Sequence, residues 1–185
     1  MFDIRRIQEQ AIYKAVEKFG GENTAKKIVY GANEEAREEN NGTWVNATMK
    51  RLEDSFAPTV TKQIRMECQC GYGMEEKVAL LRELRASYSD LEEMANSDKA
   101  KTAGLFSEND SLYLQFTFCP CPMLGEVEQL DSKTWCQCTT GYSKVLFERA
   151  FECKADVELL ESIKSGDNRC LMKIVLNKTS QADII

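Results

Sequence analysis

Two runs near the C-terminal end of the chain constrain its fold more than any other feature. Val157, Leu159, Glu161 and Ile163 alternate with Glu158, Leu160 and Ser162; Cys170, Met172, Ile174 and Leu176 alternate with Leu171, Lys173 and Val175. Alternation of period two sends successive side chains to opposite faces of a sheet. A four-residue loop, Lys164 to Asp167, pairs Ile163 with Asn168. The same register sets Glu161 opposite Cys170, Leu159 opposite Met172 and Val157 opposite Ile174. The apolar set then shares one face, and a slip of one residue scatters it. The competing assignment buries the second face, where Leu160, Leu171 and Val175 lie. On the first assignment Glu161 faces a thiol, with Cβ atoms about 4.5–5.5 Å apart. A carboxylate on a core face is costly unless it is paired or bound to a metal.

The chain before this hairpin reads differently. Ile4, Ile7, Ala11, Ile12, Ala15 and Val16 recur at helical spacing and stop at Gly20-Gly21. Two further helices are expected over about 24–38 and 43–56, with Asn40-Asn41-Gly42 as the loop between them. Pro58 opens a segment that runs to Cys68-Gln69-Cys70-Gly71-Tyr72-Gly73, where the glycines mark a helix end. Met74 to Ala86 carries the stripe Val78, Leu81 and Leu84, and Ser89-Asp90-Leu91-Glu92 reads as a capping box before a short helix through Ala95. Leu112 to Phe118 is expected to be a strand, and Cys119-Pro120-Cys121-Pro122 is extended by its prolines. After Trp135-Cys136-Gln137-Cys138 a helix passes through Val145, Leu146, Ala150 and Phe151. The fold class is therefore α+β: a helical N-terminal half, then an antiparallel sheet with a helix between its strand pairs. The expected units are N-terminal helices over 1–56, a cysteine-rich core over 57–177, and a tail over 178–185.

Composition narrows the chemistry. With 24 Lys+Arg against 30 Asp+Glu, the net charge of −6 argues against nucleic acid as a partner. No apolar run approaches the ~20 residues of a membrane span. The start of the chain lacks the apolar stretch of a secretory signal, so a cytoplasmic location with reduced thiols is expected, and the sequons at Asn41, Asn46, Asn109 and Asn177 are chance matches. There is no histidine. That removes Ser-His-Asp and Cys-His catalysis, HExxH sites and His-ligated zinc.

Cysteine and carboxylate chemistry remain. Six of the eight cysteines form C-x-C pairs, Cys68/Cys70, Cys119/Cys121 and Cys136/Cys138, whereas Cys153 and Cys170 stand alone. An isolated buried cysteine is ordinarily a small core hydrophobe, but three such pairs point to metal or redox use. In an extended segment C-x-C presents both thiols on one face, and in a helix they diverge by about 200°. The candidate metal ligands are Cys119, Cys121, Cys136, Cys138, Glu161 and Cys170, with Cys68 and Cys70 in a second tier. Thiolate with carboxylate and no imidazole suits tetrahedral zinc; an iron–sulfur cluster also fits several thiols.

The stretch C-x-C-x-x-G-Y…V-E-L-L-E-S-I…G-D-N-R-C-L-M-K-I, residues 136 to 174, resembles the C-terminal half of the 4-vinyl-reductase-type domain. That domain shares a fold with small subunits of the Golgi transport tethering complex and with haem-type nitric-oxide sensor domains. In aromatic-sensing bacterial regulators that carry it, cysteines and a glutamate hold zinc beside a ligand pocket. The resemblance implies ligand roles for Cys136 or Cys138, Glu161 and Cys170, and it fails at Lys164, where the regulators have a further Cys. The whole chain also resembles an uncharacterised family of cysteine-rich bacterial proteins and, more distantly, thiazoline-carboxylate hydrolase-type proteins. The expected function is a metal-containing module that binds a small apolar or aromatic molecule, with Tyr113, Phe116, Phe118, Trp135 and Tyr142 as pocket candidates. The alternatives are a cysteine- or metal-dependent hydrolase of a small cyclic amidine and a thiol redox sensor. The fold analogy implies a homodimer through the N-terminal helices.

Overall fold

The computed structural model describes residues 3–31 and 40–177. Helix α1, Ile4–Tyr30, is capped by Asp3, whose side chain accepts from the Arg6 backbone N–H. The helical path breaks at Gly20-Gly21 as expected: Gly21 takes non-helical backbone (φ 77°, ψ 172°), and a second helical stretch runs on from that kink to Tyr30. The helix expected over about 24–38 is present as far as Tyr30, and residues 32–39 are outside the described residues. Asn40-Asn41-Gly42 begins α2, Asn41–Ser55, instead of forming a loop, because Asn40 accepts from the Thr43 N–H and satisfies a free donor of the first turn. Helix α3, Pro58–Glu67, opens on a proline whose missing N–H is no loss at that position. Helices α4, Met74–Ser87, α5, Leu91–Asn96, and the unanticipated α6, Asp98–Thr102, complete the helical half. The cap of α5 is Asp90, not Ser89; Ser89 instead bonds the Glu93 carboxylate.

The sheet is antiparallel in the order β1-β2-β4-β3, built from β1, Leu105–Glu108, β2, Ser111–Phe116, β3, Lys154–Glu161, and β4, Cys170–Asn177. Strand β1 was not expected from the sequence. It exists because Asn109 and Asp110 both adopt left-handed backbone (φ 49° and 57°), the geometry of the tightest hairpin turn. Helix α7, Gln137–Phe151, connects the two strand pairs, as the sequence indicates.

The β3–β4 register agrees with expectation at Val157↔Ile174 and Leu159↔Met172 and then departs from it. A bulge between Leu159 and Glu161 sets Glu161 opposite Leu171 rather than Cys170. The extra residue carries the carboxylate to the outer face, away from Met172 and Cys170. There Arg169 donates from Nε and Nη2 to the two carboxylate oxygens, each at 3.0 Å, and from Nη1 to Gln115 Oε1 at 3.0 Å. A bidentate guanidinium partner at a half-exposed site is far cheaper than a lone carboxylate in an apolar layer.

Two hydrophobic cores result. The helical core joins Ile12, Val16, Ile28, Leu52 and Ile64 with Trp44 and Trp135, whose rings meet edge to face at 5.8 Å. The sheet core joins Val78, Leu81 and Leu84 of α4 to Leu105, Phe147, Met172 and Ile174. The helical core draws on both sequence-expected units, since α3 and residues 123–136 pack with α1 and α2. Helix α7 ties the halves together through Gly141: a Cβ there would stand 1.9 Å from the Met66 carbonyl oxygen of α3. The expected tail, 178–185, lies outside the described residues.

Candidate functional site

All eight cysteines are free thiols, and their distribution between the cores is uneven. Cys68, Cys119, Cys121 and Cys136 belong to the helical core, and none belongs to the sheet core. The C-x-C at 136/138 is not extended. Cys136 is the residue before α7 and Cys138 lies in its first turn, so the two thiols diverge. Cys136 Sγ meets Ser162 Oγ, which is fully buried, at 3.3 Å. Cys138 lies near Arg65, and Cys121, Cys136 and Cys68 also act on it.

The thiols nevertheless form a chain through space. Cys136 feels Cys119, Cys170 and Cys121; Cys138 feels Cys121, Cys136 and Cys68. Trp135 donates its Nε1–H to Cys121 Sγ at 3.5 Å, and Cys68 Sγ donates to the Ile64 carbonyl at 3.1 Å. Burial pushes the Cys136 thiol up to about 11, with Ser162 pulling partly back. Burial pushes Cys138 up to about 12 against the opposing pull of Arg65. Burial also raises Cys68, Cys119 and Cys170. Cys68, Cys119, Cys136, Cys138 and Cys170 therefore rest as neutral thiols near pH 7.

Five of the candidate ligands, Cys119, Cys121, Cys136, Cys138 and Cys170, thus share one neighbourhood; Glu161 is turned to the other face and held by Arg169. Soft sulfur donors fit zinc or an iron–sulfur cluster in kind. As placed, no three Cys, Asp or Glu side chains among the described residues close into a ligand set for a metal ion. Of the second tier, Cys68 sits against Arg65, and Cys70 lines a cavity.

That cavity, about 280 Å³, lies at the seam between the two cores. Ile4, Gln8, Met123 and Cys121 wall it on one side, and Leu105, Leu114, Phe116, Tyr142, Leu146 and Phe147 on the other, with Cys138 at the first turn of α7. Its size is near the lower end, about 300 Å³, of small-molecule sites. Two of the five expected pocket aromatics line it, Phe116 and Tyr142. Phe118 is largely exposed and packs edgewise on Phe116 at 6.2 Å. Tyr113 does not line it: strand alternation puts it on the outer face, stacked on Phe106 at 5.1 Å. Trp135 does not line it either, being fully buried beneath Trp44 and Arg65.

Arg65 is the residue that sequence reasoning missed. It is fully buried, stacks over Trp135 at 4.3 Å, and donates from Nη2 to the Trp135 carbonyl at 3.1 Å and from Nη1 to Gln8 Oε1 at 3.5 Å. Its Nε has no hydrogen-bond partner among the described residues. Desolvating a cation costs several kcal/mol, which cation–π stacking of about 2 kcal/mol offsets only in part. Its charge acts on the thiols of Cys68 and Cys138. The signal was present: Thr61, Ile64, Arg65 and Cys68 fall on one helical stripe, so a guanidinium had to enter the core with the rest.

The fold and site define an α+β protein with an apolar cavity beside a cluster of neutral thiols. The chain belongs to a family of unknown function, DUF6144, whose model matches residues 1–181. No curated protein and no solved structure matches it. No helix among the described residues is long and apolar enough to cross a membrane.

Proposed function

We propose that this protein binds a small apolar or aromatic molecule in the cavity between its two cores. The observation that carries this reading is the cavity itself, walled by aliphatic and aromatic side chains from both cores. The likeness of residues 136–174 to the 4-vinyl-reductase-type domain supports it, and would extend to a homodimer through α1. The abundance of free thiols suits a reducing, cytoplasmic setting. Calorimetric titration with p-xylene tests the reading. A saturable, one-to-one heat is expected in the native chain, and its loss in Leu80→Trp, which fills the cavity from α4. A native chain that gives no saturable heat overturns it.

The convergence of five thiols from separate segments supports a second, compatible feature: a zinc ion held by four of Cys119, Cys121, Cys136, Cys138 and Cys170, with an iron–sulfur cluster as the other soft-donor candidate. Zinc would supply charge to stabilise the thiolates, and the sulfur atoms have to draw together around it. Protein purified anaerobically is expected to carry close to one equivalent of zinc. Neither zinc nor iron near that level removes the metal from the proposal and leaves the cavity reading intact. Thiols held neutral near pH 7 disfavour the alternative in which one of them is a hydrolytic nucleophile.

A further inference from the structure

The cavity wall is electrostatically one-sided. Among the described residues that line it, Lys77 is the one charged side chain, and no carboxylate is present. Lys77 extends from the first turn of α4, and its Nζ stands 4.9 Å from the centre of the Tyr142 ring, itself part of the wall. No ion pair engages Lys77 among the described residues. Tyr142 Oη is already committed, donating to the Tyr72 carbonyl at 2.9 Å. The Cys70 thiol and the Glu76 carboxylate act on Tyr142 at this rim; Glu76 is exposed and does not line the cavity. On the far wall Gln8 holds Arg65, the buried cation without a carboxylate partner. Among the described residues neither positive charge that bears on the cavity has a carboxylate partner, in a protein whose net charge is −6.

An apolar interior with a hydrated cation at its edge matches a molecule of the same polarity. We infer that the occupant is a small apolar carboxylic acid, aryl-alkanoic or medium-chain, with its hydrocarbon part against Leu114, Phe116, Leu146 and Phe147 and its carboxylate at Lys77. The exposed ammonium lets the carboxylate keep part of its hydration, so the full desolvation cost of an ion does not arise. For the same reason the charge contributes selectivity more than affinity. The inference rests on the cavity being a ligand site.

The test pairs acids with their alcohols: 3-phenylpropionate against 3-phenylpropanol, and octanoate against octanol, titrated calorimetrically at pH 7 and low salt. The native chain is expected to bind each acid about threefold to fivefold more tightly than its alcohol, the size of an exposed ion pair. K77M should remove that preference, K77E should reverse it, and both should leave alcohol binding within about twofold. E76Q should favour the acids slightly further. Lys77 is exposed, so thermal melts of these variants should match the native chain. Equal binding of acid and alcohol by the native chain, or a K77E effect shared equally by both, overturns the inference while the cavity reading stands. Absence of binding by acids and alcohols alike overturns both.

Discussion

The two cores are built from different material, and the difference locates the site. The sheet core is hydrocarbon throughout: Val78, Leu81, Leu105, Phe147 and Ile174 close it with no sulfur except methionine. The helical core holds four cysteines, both tryptophans and the buried Arg65. One half is an ordinary oil-like interior, and the other is polarisable and carries a charge. The cavity opens where the two meet and takes its walls from both.

The sharpest way to break this comparison is to separate the halves. Gly141→Ala puts a methyl group 1.9 Å from the Met66 carbonyl oxygen, forcing α7 off α3. Backbone cannot yield as a flexible side chain does, and overpacking of this kind costs about 3 kcal/mol. A fall in denaturant midpoint of that order is expected, with loss of p-xylene binding. Native stability in this variant would mean that the seam is not rigid.

A second effect, of similar or smaller size, follows from the thiols. Burial holds the folded pKa values of Cys68, Cys119, Cys136, Cys138 and Cys170 above the unfolded value of about 8.5, so the native state holds protons that the unfolded state releases. Stability in metal-free protein is then complete below about pH 8 and falls as pH rises toward the folded value of about 11 at Cys136. The slope is about 1.4 kcal/mol per pH unit for each such thiol. Both tryptophans lie in the helical core, so tryptophan fluorescence should register the loss before hydrogen exchange in the sheet does. Simultaneous loss would show the cores to be one cooperative unit. If thiolates hold zinc, the sign reverses, and holo protein weakens as pH falls.

The smallest effect belongs to the outer face. Glu161→Gln breaks a half-exposed pair with Arg169, worth roughly 1 kcal/mol or less, and should leave metal content and cavity binding unchanged. Loss of metal in that variant would restore Glu161 to the thiol site.

Much of the fold was legible because period alone determined it. The α4 stripe at Val78, Leu81 and Leu84 and the pairing of Leu159 with Met172 needed no partner to be read. What failed was tertiary in origin. Strand β1 depends on two consecutive left-handed residues, Asn109 and Asp110, a turn that hydrophobic alternation does not display. The Glu161 register depended on a bulge that strict alternation does not contain, stabilised by an arginine eight residues away. For the site, the cysteines drew notice by their spacing. The cavity did not, because its wall is assembled from α1, α4, β2, α7 and the Pro120–Met123 segment, and Lys77 looks like any other lysine on a helix surface.

The irregularity in β3 governs more than one side chain. By turning its only acidic candidate outward, the strand leaves the inward-facing donors entirely sulfur, a surface that is electrically silent until a proton leaves it. Shortening the strand by a single residue would restore strict alternation and place a permanent anion among those sulfur atoms.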